Sequence, residues 1–213
     1  MLKEVVAMLG LIVAVCAGSA HGAEVTLDFI NNNDTDVSGG TLQNPDGTSL
    51  TWDDVDEEES YAFQIVDIES TGSVGITAEA RRDDLNFLSN GLADGSTGYN
   101  EAEEGTDFTF DRAVTITEMD WCSFTSGGSD SVKLMLDDVS LGTFGQDDVS
   151  GGIDFTDTNP ARMSINVPAG STFSLEYEGG DFKLERLTFT IPEPAAASLI
   201  ILGGTALLCR RRR

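Results

Sequence analysis

An all-β chain is expected: an antiparallel β-sandwich, jelly-roll-like, flanked by an N-terminal signal peptide and a short C-terminal transmembrane helix. Three patterns point there. Apolar and polar residues alternate with a period of two through the middle of the chain, Gly- and Asp-rich pairs separate the alternating runs, and uninterrupted apolar stretches lie at the two ends. A period of two sends successive side chains to opposite faces, so one face of each strand can be buried while the other stays wet.

Residues 1–23 open with Lys3, continue with the apolar run 5–15, and close with the small residues Ala17, Gly18, Ser19 and Ala20. Such a run is short of the about 20 residues that a spanning helix needs. A charged start, a short apolar run and a small-residue stretch make a secretory signal peptide, with signal peptidase cutting after Ala20, Gly22 or Ala23.

Residues 24–191 carry the alternation. Val25, Leu27 and Phe29 begin it, and Val74, Ile76 and Ala78 repeat it. Phe108 and Phe110 lead to Val114 and Ile116, then to Met119 and Trp121. Val132, Leu134 and Leu136 follow, then Met163, Ile165 and Val167, and then Phe173, Leu175 and Tyr177. The last run reads Phe182, Leu184, Leu187, Phe189 and Ile191. About ten short strands result, with a helical period only over residues 78–88. The alternation slips by one between Ile116 and Met119 and again between Leu184 and Leu187. A slip of one residue predicts a β-bulge at each place. Asp46-Gly47, Asp94-Gly95, Gly127-Gly128, Gly151-Gly152 and Gly179-Gly180 supply turns. The pentapeptide Asp36-Val37-Ser38-Gly39-Gly40 recurs as Asp148-Val149-Ser150-Gly151-Gly152, and Asp138-Val139-Ser140 echoes it. Flanking strands do not match, so this reads as reused turn chemistry.

Charge and rare residues exclude several functions. The 213 residues hold 37 Asp plus Glu against 12 Lys plus Arg, a net of -25, which argues against a nucleic-acid surface. Taking Glu4 and Glu193 from the acidic residues, and Lys3 with residues 210–213 from the basic ones, leaves 35 against 7, a net of -28 for the body. An excess of this size suits saline surroundings and keeps an exported protein soluble. His21 is the single histidine and lies outside the body, so Ser-His-Asp, Cys-His and imidazole-zinc chemistry are not expected. Cys122 is the one cysteine of the body, so no intrachain disulfide is possible there; beside Trp121, it is expected to be a small buried hydrophobe. Carboxylate chemistry survives, but with 35 carboxylates some pair lies at any chosen separation by chance, and no catalytic residue is assigned.

The C-terminal segment 192–213 begins Pro192-Glu193-Pro194, continues with apolar residues 195–209, and ends Arg210, Arg211, Arg212 and Arg213. As a helix the apolar part is roughly 22 Å long, short of a hydrocarbon core of about 30 Å. Terminal arginines prefer the cytoplasmic side and can snorkel toward headgroups, leaving everything before Pro192 outside. These three ordered elements resemble the PEP-CTERM sorting tail of exopolysaccharide-making Gram-negative bacteria. The resemblance covers the tail, with a looser likeness from Gly98-Tyr99-Asn100 to Phe110 and at Phe189-Thr190-Ile191. It implies a sandwich-type body and an exosortase, an integral-membrane cysteine protease, that recognises the tail and processes the chain near the motif. The membrane is then engaged only transiently through residues 195–209, and the product reaches the cell surface or extracellular matrix.

Jelly rolls often bind sugars on exposed aromatics and hold calcium at a loop. Trp121 and Tyr177 fall on inward positions, whereas Trp52, before Asp53-Asp54, and Tyr99, in a glycine-containing loop, are expected to be exposed and are the candidate ligand-binding residues. Asn100, Glu101, Glu103 and Glu104 are the candidate calcium ligands, since calcium takes six to eight oxygens. Asp34, Asp36 and Ser38 imitate half of an EF-hand loop, but Pro45 stands where a bidentate Glu belongs. The expected function is non-enzymatic association with exopolysaccharide or envelope matrix. A structural or adhesive module with protein partners, and a carboxylate-dependent glycosidase, are the alternatives.

Overall fold

A computed structural model describes residues 22–30, 37–51, 59–69, 71–88, 91–94, 99–124, 130–156 and 160–193. Residues 1–21 of the expected signal peptide, Asp34 and Asp36, Trp52 with the acidic run 53–58, and Pro194 with residues 195–213 lie outside the described residues, while Ala23, the last residue of that expected segment, begins the first strand. Residues Ala23–Ile191 form one compact unit.

Every regular element of the described residues is a strand. In chain order these are β1 (Ala23–Asp28), β2 (Val37–Ser38), β3 (Thr41–Gln43), β4 (Ser60–Ile68), β5 (Gly72–Ala80), β6 (Leu85–Leu88), β7 (Gly91–Asp94) and β8 (Gly105–Phe110). There follow β9 (Val114–Cys122), β10 (Ser131–Leu136), β11 (Val139–Gly145), β12 (Val149–Ser150), β13 (Ile153–Asp154), β14 (Ala161–Val167), β15 (Thr172–Gly179) and β16 (Lys183–Ile191). Sheet 1 runs β12-β13-β14-β9-β16-β1-β2, with the β6–β7 hairpin added beside β16; sheet 2 runs β11-β10-β15-β8-β5-β4-β3. The paired strands are antiparallel throughout.

The alternating residues build the core between the sheets. Val25, Leu27, Ile116, Leu187 and Phe189 of sheet 1 and Phe63, Ile76, Phe108, Leu134 and Phe173 of sheet 2 are buried in one cluster. Phe110 meets Phe189 edge-on at 5.3 Å between ring centres, and Phe29 lies 6.2 Å from Phe108, so rings from both sheets interlock. Each fully buried Phe contributes about 2–3 kcal/mol of apolar transfer free energy. The chain is therefore all-β, with two antiparallel sheets sharing one core.

Both expected bulges are present. Along β16, Thr188 is opposite Glu118 and Phe189 opposite Ile116, which leaves Thr117 as the extra residue; Leu184 is opposite Trp121 and Arg186 opposite Asp120, which leaves Glu185 extra. Residues 78–88 are not helical: β5 ends at Ala80, and β6 starts at Leu85. There the register to β8 and β7 overrides a weak local period. More strands are present than expected because short pieces such as β12 and β13 are too brief to show a period. Cys122 is only partly buried, since Trp121 occupies the inward position and the next residue points outward.

Four pairs are nested in sequence and alternate between sheets: β1 with β16, β8 with β15, β9 with β14, and β10 with β11. This nesting sorts the connections. Ala23 is opposite Ile191, and the tight turns 111–113, 137–138 and 168–171 lie at that same end, the junction end. The ends of β9, β11 and β15 and the starts of β8, β10, β14 and β16 lie at the other, far end.

Candidate functional site

The loop before β8 was expected to hold a ligand site, and the structure gives it another role. Tyr99 is 1% exposed, its ring 5.4 Å from Phe182 and its hydroxyl 2.6 Å from Thr106 Oγ1. Its N–H donates to the Phe182 carbonyl at 2.9 Å. The expected exposed ring is thus a core residue: a bridge to Phe182 draws Tyr99 inward, and its hydroxyl finds a buried partner there. Trp52 lies outside the described residues.

Asn100, Glu101, Glu103 and Glu104 do lie on one turn, but the three carboxylates do not converge. Glu104 is buried, and its Oε2 accepts the N–H groups of Asn100 at 2.6 Å and Glu101 at 2.8 Å. An oxygen that accepts two backbone N–H groups is engaged by the turn itself. Glu101 turns to Arg82, 2.7 Å away, and this pairing raises the Arg82 pKa. Glu103 has a positive φ of 75° and is exposed. Among the described residues, no group of three or more His, Cys, Asp or Glu side chains converges around a point suited to a metal.

A cluster not legible in single segments forms at the Glu185 bulge. Arg186 donates from Nε to Asp28 Oδ2 at 3.0 Å, from Nη1 to Asp120 Oδ2 at 3.2 Å, and from Nη2 to Glu185 Oε1 at 3.3 Å. One guanidinium thus joins β1, β16 and β9. The bulge causes this, because an extra residue places Arg186 opposite both Asp28 and Asp120. Asp120 is 8% exposed, and its Oδ1 also accepts the N–H of Trp121. Hydrogen bonding to Asp28 and the surrounding carboxylates raise the Arg186 pKa. A glycosidase pair needs open space between its carboxyl groups for a sugar. Here the guanidinium occupies that space.

The pKa of Glu185 is raised, by partial burial first and by the Asp120 charge second, with Arg186 opposing. A carboxyl whose folded pKa exceeds its unfolded one holds its proton more tightly when folded, so its anion disfavours the fold. That penalty is absent below the carboxylate range and grows as pH rises through it. Glu185→Gln is therefore expected to stabilise the protein near neutral pH and to give no gain in acid, as read from urea midpoints at both pH values. Destabilisation near neutral pH would contradict the assignment.

Several cations among the described residues are turned onto the protein itself. Arg81 pairs with Asp107 and Glu176, Lys133 with Glu176, and Arg112 donates to the Thr71 and Ser73 carbonyls at 2.7 Å each. No basic cluster is formed by these residues, and the surface is anionic. Among the described residues, no helix is long and apolar enough to cross a membrane. No family model matches the chain, and neither the curated proteins nor the solved structures yield a match.

Proposed function

We propose that this is an exported, non-enzymatic envelope protein, handled by signal peptidase and an exosortase-type protease, whose body associates with exopolysaccharide at the cell surface or in the matrix. The observation that carries this reading is the ordered tail: Pro192-Glu193-Pro194, apolar residues 195–209, then Arg210, Arg211, Arg212 and Arg213. Support comes from where β16 stops. Ile191 is buried opposite Ala23, whereas Pro192 and Glu193 are exposed, so a protease acting beyond Ile191 leaves the strand pairing intact. On this reading the body is a jelly roll, a class supported by the four nested pairs that alternate between sheets.

In a host carrying an exosortase, the mature protein is expected outside the cytoplasm, with an intact mass lacking both ends. A cytosolic protein retaining residues 1–213 would sink the proposal. The exported product is expected to co-fractionate with the host's own polysaccharide, with calcium and with a chelator as separate arms that test whether divalent cations bridge surface carboxylates. A second reading, an adhesive module with protein partners, is favoured by Val139 at 66%, Leu141 at 37% and Val149 at 63% exposure on the outermost strands β11 and β12. Self-association without glycan would select it.

A further inference from the structure

Resting on the adhesive reading above, we infer that the body pairs with a second copy of itself, the two β11 strands lying antiparallel so that sheet 2 continues from one copy into the other. The first observation is which edges are long enough to pair. The other outermost strands, β2, β3, β6 and β12, have two to four residues, too few to template a partner. Strand β11 has seven and, among the described residues, a neighbour on one side only, β10. The second observation is an internal comparison. Asp36-Val37-Ser38-Gly39-Gly40-Thr41 recurs as Asp138-Val139-Ser140-Leu141-Gly142-Thr143, differing only at Gly39 and Leu141, and each copy is followed by a buried apolar residue, Leu42 or Phe144. The copies run into β3 and β11, the two opposite edges of sheet 2. At β3 the chain covers its own edge, since the Asn44 N–H donates to the Thr48 carbonyl at 2.9 Å and Ser49 bridges back to Gln43. After β11 the chain leaves instead for β12 in the other sheet, and Val139 and Leu141 stay exposed.

The third observation is charge. A body with a net of -28 repels its own copies, yet residues 139–146 hold no charged side chain. Two copies therefore meet with least repulsion along this strand. Each copy has one such edge, so pairing about a two-fold axis uses both and closes the assembly at a dimer. Asp137, Asp138, Asp147 and Asp148 bracket the strand and come near one another across the antiparallel pair. Their repulsion makes the dimer weaker at low salt and stronger at high salt, the reverse of an attraction between opposite charges.

The test follows the protein as exported, without glycan, by sedimentation at about 0.01 M and about 1 M salt, between which the screening length falls from about 30 Å to about 3 Å. A monomer at low salt and a reversible dimer at high salt are expected. Amide exchange at 139–145 is expected to slow as protein concentration rises, with exchange at 41–43 unchanged. Val139→Lys with Leu141→Lys puts charge on the edge and is expected to weaken the dimer about tenfold or more. Ser38→Lys with Ser164→Lys, both exposed in sheet 1, adds equal charge and is expected to change it about twofold or less. Urea unfolding checks both pairs, and Leu141→Lys alone serves if the first pair does not fold. Dimers that persist in Val139→Lys with Leu141→Lys would keep self-adhesion and overturn this edge as its site. A protein that is monomeric at both salt concentrations would overturn the inference and leave the adhesive reading to other protein partners, and association that weakens as salt rises would overturn it too.

Discussion

Gly39→Ala is expected to destabilise the protein by about 3 kcal/mol or more, whereas Gly151→Ala, at the matching place in the second copy of the same pentapeptide, costs about 1 kcal/mol. Both glycines have a positive φ, 87° at Gly39 and 59° at Gly151. Their surroundings differ. A Cβ at Gly39 would fall on the backbone carbonyl of Glu24 and close to Val25 Cα in β1, which cannot withdraw without breaking its pairing to β16. A Cβ at Gly151 meets nothing within 4 Å. The second variant thus carries only the conformational cost of a side chain in the left-handed region, and the first adds a clash with main chain. Urea unfolding of the two variants side by side measures the difference, and equal losses would show that strand β1 yields more readily than the structure implies.

Arg186→Met is expected to cost about 2 kcal/mol near neutral pH. That lies between the 3–5 kcal/mol for breaking a fully buried ion pair and the roughly 0–1 kcal/mol of an exposed one, because the Arg186 side chain is 43% exposed and that of Asp120 only 12%. Without the guanidinium, Asp28, Asp120 and Glu185 repel one another across three strands. The loss is expected to shrink in acid, where those carboxyls are neutral in both proteins. Arg186→Lys should recover part of the stability, since one ammonium cannot meet three acceptors with the fan of a guanidinium. A loss that stays constant across pH would assign the effect to lost packing of the arginine stem instead.

Much of the core was legible in the residues. Val25, Leu27, Phe108, Trp121 and Phe189 all face inward as their alternation demands, and both slips in that alternation became bulges at Thr117 and Glu185. The candidate site was less legible. Tyr99 sits in a glycine-containing loop and reads as exposed, but its surroundings are set by Phe182, far along the chain. Glu104 reads as a calcium ligand among neighbours of like charge, yet its carboxylate closes its own turn. Nothing local marks Asp28, Asp120 and Arg186 as one group, because they come from β1, β9 and β16 and meet only in the register of sheet 1.

The amino-acid order by itself determined which side of each strand is apolar, where the strands bulge, the polyanionic character of the body, and the Pro-Glu-Pro tail on which the export reading rests. These are properties of neighbouring residues, and a period of two needs no distant partner to be visible. The tertiary structure alone decided which strands lie side by side, which end gathers both chain junctions, and what one pentapeptide does in two places. Val37-Ser38-Gly39-Gly40 passes from the edge of sheet 1 to β3 in sheet 2, while Val149-Ser150-Gly151-Gly152 turns back on itself into β13. Identical local preferences reach different conformations there because β1 and β4 press on the first pair of glycines and nothing presses on the second. Strand pairing is a choice among non-local contacts, made by the fit of whole faces and by the register they share.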